Sequence, residues 1–244
     1  MAGGTLALSS LGFAQSNQDE TILRAIPVQD SSAPVGAPGP MEVNPHFVSS
    51  GNGFGNRIAV TFDDGPTPGV TDVVLAELDR SRLRATFFMI GKKVRLYPSL
   101  AQEVVAAGHE VANHTYTHPM LTKLSRAKVE EEIYKCHDTI TEVTGRLPVW
   151  FRPPYGAFRK DLASIPASRG MGIAYWSVDP QDWARPGSSV IASRVLNQTT
   201  PGSIILLHDL HQQTAQAVSD IFQGLKARAF VFSNMTRFLG HPYA

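Results

Sequence analysis

Cysteine is nearly absent, with Cys136 alone among 244 residues. One thiol excludes an intrachain disulfide and a cysteine-rich zinc site. No run of 18 apolar residues occurs, so no ordinary transmembrane helix is expected. Neither sign of charge dominates. There are 22 basic and 21 acidic residues, the net charge is +1 and no basic patch stands out, which argues against nucleic acid as a partner. Basic residues are missing from the start of the chain, the first being Arg24. The basic n-region of a secretion signal is therefore lacking, although 5–14 is mildly apolar and Gly12-Phe13-Ala14 loosely fits a signal-peptidase site. A secretion signal and a plain disordered tail both stay open for this stretch.

What is present is enough apolar material, 43% of the chain, for one sizeable core. From 26 to 45 the composition turns to Pro, Ser, Gly and Ala, with prolines at 27, 34, 38, 40 and 45. That composition suits a linker or a tail draped on a surface. Residues 1–56 are set apart as a signal-like and linker segment, and 57–244 as the folded domain.

The folded part has a rhythm. Apolar runs of strand length recur at 57–62, 85–90, 110–113, 149–151, 172–178, 203–207 and 229–233. Helical patterns lie between most of them. The clearest has Val129, Ile133, Cys136, Ile140 and Val143 on one face, with Ser125 as N-cap and Gly145 as stop. Pro98 suits the first turn of a helix ending near Gly108, and 213–228 carries Ala217, Ile221 and Leu225 at four-residue steps. Strands alternating with helices argue for parallel βα units. A barrel and an open doubly wound sheet both fit this pattern.

Both architectures place the active site at the C-terminal ends of the strands. The chemically unusual residues fall there. Asp63 and Asp64 follow the first strand and are cut off by Gly65-Pro66. Two adjacent carboxylates repel unless a cation or a proton intervenes. His114 and His118 follow the third, at a spacing that puts both rings on one side of a helical turn. Taken alone they would be ordinary surface histidines. Beside the acidic strand end they make a ligand set, because two neutral imidazoles and one carboxylate leave a divalent ion open to water. One carboxylate of the pair then binds the ion and the other stays free as a base. Arg152 is a natural partner for the free carboxylate. His208 ends the sixth strand, and strand alternation turns Leu206 to the same side as an apolar wall. Asp182 can hold that imidazole and raise its pKa, which makes it a general acid. Tyr155 and Trp183 either pack at the rim or stack on a sugar face. Cys136 belongs to the core face of its helix.

The chain resembles the polysaccharide deacetylases, the NodB-homology domain of carbohydrate esterase family 4. T-F-D-D-G-P at 61–66, H-T-Y-T-H at 114–118, R-P-P-Y-G at 152–156, D-P-Q-D-W at 179–183 and L-L-H-D at 206–209 match the five motifs of that family in order. The resemblance covers roughly 57–234 and implies an α/β fold, a distorted (β/α)7 barrel. It implies Asp63 as catalytic base, and Asp64, His114 and His118 as ligands of one divalent ion, zinc or in some members cobalt or another metal. It implies that Arg152 orients the base, that the Tyr155 N–H is an oxyanion donor, and that Asp182 tunes the acid His208. Leu206 and Trp183 become walls of the acetyl pocket. The substrate implied is an N-acetylated polysaccharide or oligosaccharide, met outside the cytoplasm in a secreted, periplasmic or envelope setting. O-acetyl esterase activity, as on xylan, and a carbohydrate-binding pseudoenzyme are the competing readings. Neither the native metal nor the oligomeric state is implied.

Overall fold

The computed structural model describes residues 46–242. The reading of 5–14 as a secretion signal, and that of the proline-rich stretch up to 45, lie outside the described residues. The strands among the described residues are β1 (Phe47–Val48), β2 (Arg57–Asp63), β3 (Thr86–Met89), β4 (Glu110–Asn113), β5 (Trp150–Phe151), β6 (Gly172–Ala174), β7 (Ile204–His208) and β8 (Val231–Ser233). The helices are α1 (Thr71–Ser81), α2 (Gly91–Leu96), α3 (Pro98–Ala106), α4 (Arg126–Thr144), α5 (Ser164–Ala167), α6 (Ser188–Gln198), α7 (Gln212–Ala227) and α8 (Met235–Leu239).

All strand pairings are parallel, in the order β1-β6-β5-β4-β3-β2-β7, with β8 against the start of β2. The sheet curls, and a parallel bridge between Val178 and Ile205 links the far side of β6 to β7. This is the distorted (β/α)7 barrel and not the open doubly wound sheet. β6 is shorter than the apolar run 172–178. It pairs from Gly172 to Ala174, and Val178 rejoins the sheet as an isolated bridge. β1 pairs with β6 ahead of position 57, so Phe47–Val48 belongs to the sheet and not to a linker.

The strands are apolar on both faces because helices cover the outside and packed side chains fill the inside. β2 is buried from Ile58 onward, its inner and outer residues alike. Along α4, Val129, Ile133, Cys136 and Ile140 are sealed from solvent, as the helical spacing requires. Ser125 accepts from the Lys128 N–H, and Gly145 ends the helix at φ 68°. Pro98 stands in the first turn of α3, where a missing N–H costs no hydrogen bond.

Candidate active site

β2 carries Asp63 to the rim of the barrel, and Asp64 follows in left-handed backbone at φ 75°. β4 ends at Asn113 and delivers His114. His118 is not on a helical turn, as its spacing suggested. Thr115 and His118 take φ 64° and 61°, and the Asn113 side chain accepts the Thr115 N–H at 2.9 Å, which diverts the chain from helical bonding. The two rings still converge, with centroids 4.9 Å apart. Glu132 on α4 holds this loop from below. Its carboxylate accepts the Tyr116 and Thr117 N–H groups at 3.0 and 2.7 Å and the Thr117 hydroxyl at 2.7 Å.

Asp64, His114 and His118 bring one ligand atom each within 4.8 Å of one another. Asp64 Oδ1 lies 3.6 Å from His114 Nε2 and 3.3 Å from His118 Nε2, and it has no hydrogen-bond partner among the described residues. His114 Nδ1 is bonded to the Arg152 carbonyl at 2.8 Å, so it carries the proton and Nε2 keeps its lone pair. Burial, only partly opposed by Asp64, pushes the His114 pKa down to about 3, so the ring is neutral. A neutral imidazole with a fixed tautomer, beside an unpartnered buried carboxylate oxygen, fits a divalent cation.

The second carboxylate has a different environment. Arg152 Nη1 donates to Asp63 Oδ1 at 2.7 Å and to the Thr61 hydroxyl at 2.8 Å. Its Nε and Nη2 donate to the carbonyls of Ala174 and Tyr175, and the guanidinium sits 4.0 Å from the Phe88 ring centre. Arg152 is fully buried and therefore not a surface arginine. Burial raises the Asp63 pKa, against the pull of Arg152 and His208.

Across the cavity, His208 Nδ1 meets Asp182 Oδ1 at 2.7 Å. Asp182 is fully buried and also accepts the N–H groups of His208 and Trp183 and the Thr214 hydroxyl. For His208, burial alone would lower the pKa. The Asp182 hydrogen bond and charge, with Asp63 and Asp64, outweigh it and raise the pKa to about 9. Next along β7, Asp209 is sealed from solvent. Burial pushes its carboxyl up to about 7, against the Thr71 hydrogen bond and the Lys93 charge.

These groups share one cavity of about 440 Å³. Asp63, Asp64, His114, His118 and His208 form its polar floor, and Leu206, Tyr155 and Trp183 line it as well. Tyr155 and Trp183 are more than half exposed and form the rim, with Tyr155 edge-on to His118 at 4.7 Å. Tyr155 takes φ 60°. Gly156 follows at φ 64°, where a Cβ would press on Trp176 at 3.0 Å. Pro153, Trp176 and Asp179 also line the cavity. Sequence reasoning gave them no role, although Pro153 and Asp179 lie within the motifs. Trp176 carried no signal, because it sits inside a run that reads as strand. Nor did Glu132, an acidic residue on the outer part of an amphipathic helix.

The sequence profile described as polysaccharide deacetylase matches residues 51–175. The peptidoglycan-N-acetylglucosamine deacetylase PgdA of Listeria monocytogenes is 38% identical over 184 residues, which are 75% of this chain and 39% of that protein. The chain thus spans about two-fifths of the length of that relative. A chitooligosaccharide deacetylase of Bradyrhizobium sp. is 41% identical over 188 residues, covering 71% of this chain and 86% of that protein. Among solved structures, a pseudoenzyme of carbohydrate esterase family 4 from Bacillus anthracis is similar with a TM-score of 0.76 at 30% identity. That match covers 80% of this chain and 69% of the other.

Proposed function

Because this chain belongs to the polysaccharide deacetylase family, carbohydrate esterase family 4, we propose that it is a metal-dependent hydrolase that removes N-acetyl groups from N-acetylglucosamine-containing polysaccharide or oligosaccharide. One observation carries the reading. The buried pair Asp63–Arg152 and the pair of buried Asp182 with partly exposed His208 face one cavity from two sides, with the Asp64, His114 and His118 ligand atoms beside them.

Asp64, His114 and His118 would hold one divalent ion, zinc by donor chemistry, with cobalt or another divalent ion also suited to an Asp-His-His set. Such an ion, when bound, supplies Lewis acidity towards water and towards the acyl oxygen. Asp63 takes the proton from the attacking water. Arg152 orients that carboxylate, and its charge opposes the burial that raises the Asp63 pKa. As the acetamide carbon becomes tetrahedral, the backbone N–H of Tyr155 donates to its oxyanion, a contribution of about 3 kcal/mol for one such donor. The amide nitrogen leaves only once protonated. His208, with Nδ1 engaged by Asp182, gives that proton from Nε2. Acetate and a free amine result, and proton exchange with water resets Asp63 and His208. Leu206 and Trp183 form the acetyl pocket, while Tyr155 offers a ring face to the sugar.

Relatives named for peptidoglycan and chitooligosaccharide support cell-wall or chitin-like substrates, met in the envelope or outside the cell. No helix among the described residues is long and apolar enough to cross a membrane. Zinc- and cobalt-loaded protein should be incubated with chitin oligomers, peptidoglycan and acetylxylan while released acetate is measured. Acetate from the first two supports the proposal. Acetate from xylan alone identifies an O-acetyl esterase, and none at all with retained sugar binding identifies a pseudoenzyme.

A further inference from the structure

Asp209, the final residue of the fifth motif, has no role in the chemistry above, and its setting is unusual. It follows β7, its backbone N–H donates to the Asp63 carbonyl at 3.1 Å, and its side chain is sealed from solvent. Oδ2 accepts the Thr71 hydroxyl at 2.5 Å, while Oδ1 has no hydrogen-bond partner among the described residues. A buried carboxyl with one donor is a destabilising element in itself. What it touches accounts for its presence. A Cβ on Gly65 would fall 2.1 Å from Asp209 Oδ2 and 2.5 Å from Oδ1, so the backbone after Asp64 lies directly on this carboxyl. The same turn is gripped from other sides. The Gly65 carbonyl accepts the Ile90 N–H at 3.0 Å, and Thr71 Oγ1, which donates to Asp209, accepts the Thr67 N–H at 2.7 Å. Asp64 itself stands at φ 75°, a conformation that its neighbours must impose.

We propose that Asp209, acting with Thr71, is a positioning residue for Asp64. It is the floor that fixes the 64–67 turn and so aims the Asp64 carboxylate between His114 and His118. The inference rests on the metal-binding reading of those three residues. The effect is one of shape and hydrogen bonding, so an isosteric neutral side chain that still accepts from Thr71 serves equally well. Groups that orient metal ligands from behind typically contribute about 10- to 100-fold in metal affinity.

The test is cobalt binding to the full chain, followed by calorimetry and by visible absorption of the bound ion, with thermal unfolding of each variant as a control. Asp209→Ala and Thr71→Val should weaken cobalt binding about tenfold or more, and Asp209→Asn should stay within about threefold of the unmodified protein. Unchanged affinity in a folded Asp209→Ala or in Thr71→Val would overturn the proposal, and Thr71→Val decides alone if the alanine variant does not fold. Equal losses in Asp209→Asn and Asp209→Ala would also overturn it, because charge and not support would then be at work. Failure of the unmodified protein to bind cobalt would remove the metal reading itself. Binding by the unmodified protein with unaffected variants removes only the role of Asp209.

Discussion

Arg152 Nη1 donates to Asp63 Oδ1 at 2.7 Å, and both side chains are closed off from water. Three further guanidinium N–H groups are taken by Thr61, Ala174 and Tyr175, so the arginine cannot swing away without breaking several bonds at once. The Arg152 charge thus opposes the burial that raises the Asp63 pKa. Arg152→Met leaves a buried carboxylate without its partner. The expected loss is about 3–5 kcal/mol of stability, read from urea unfolding, together with loss of turnover. Adding Asp63→Asn should recover much of the stability and none of the activity. A single Arg152→Met variant as stable as the parent would show that the pair is not coupled.

The proposed mechanism gives the neighbours Asp63 and Asp64 different tasks, and metal analysis separates them. Asp63→Asn should keep its metal and lose turnover by several orders of magnitude. His118→Ala should lose both, because Asp64 Oδ1 and His118 Nε2 lie 3.3 Å apart around one site. Full activity in Asp63→Asn would sink the base assignment.

With His208 as the proposed acid, both turnover and stability should depend on pH. Its pKa is raised from 6.5 to about 9, so the imidazolium contributes stability that is complete below about 6.5 and lost as pH rises through about 9. NMR titration of the metal-free protein should find this high value. A bound cation offsets the share owed to Asp63 and Asp64, so metal loading should move the titration to lower pH. Asp182→Asn removes the leading opponent of burial. The alkaline limb of kcat/KM should then shift clearly to acid. An unmoved limb would take the proton-donor role away from His208.

Removing the ion should abolish turnover and leave the fold intact. The ligands sit on the rim, while the core is formed by β2, β3, β7 and the flanking helices. Chelation should lower the melting temperature only by the linkage contribution, about 2.7 kcal/mol at a metal concentration of 100 Kd, with unchanged far-ultraviolet dichroism. Unfolding on chelation would make the site structural.

The proposed mechanism gives the ring of Tyr155 and its backbone N–H separate uses. Tyr155→Gly keeps the N–H and suits φ 60°, yet removes the ring. KM should rise about tenfold with kcat altered far less. A collapse of kcat at constant KM would contradict the stacking role.

Much of this was legible in the chain because parallel βα units announce themselves. Each strand is an apolar run, and each run except the second and the last is followed by polar residues of the site. Leu206 and His208 share the cavity, as strand alternation demands. What the sequence could not carry was support from a distance. Glu132 and Thr71 act through backbone N–H groups or through another side chain, which no spacing encodes. The helical turn expected for His114 and His118 failed for a similar reason: a local side-chain acceptor, Asn113, outcompeted helical hydrogen bonding.

Asp64, Thr115, His118 and Tyr155 all hold left-handed backbone around one cavity. Each such residue other than glycine costs on the order of 1–2 kcal/mol. Glycine at Asp64 or His118 would relax the chain and remove one of the ligands proposed above. Drift away from catalysis is therefore thermodynamically downhill for this scaffold. A variant selected for heat tolerance alone should accumulate its changes here first, and should end as a sturdier protein that still folds around the cavity but no longer turns anything over.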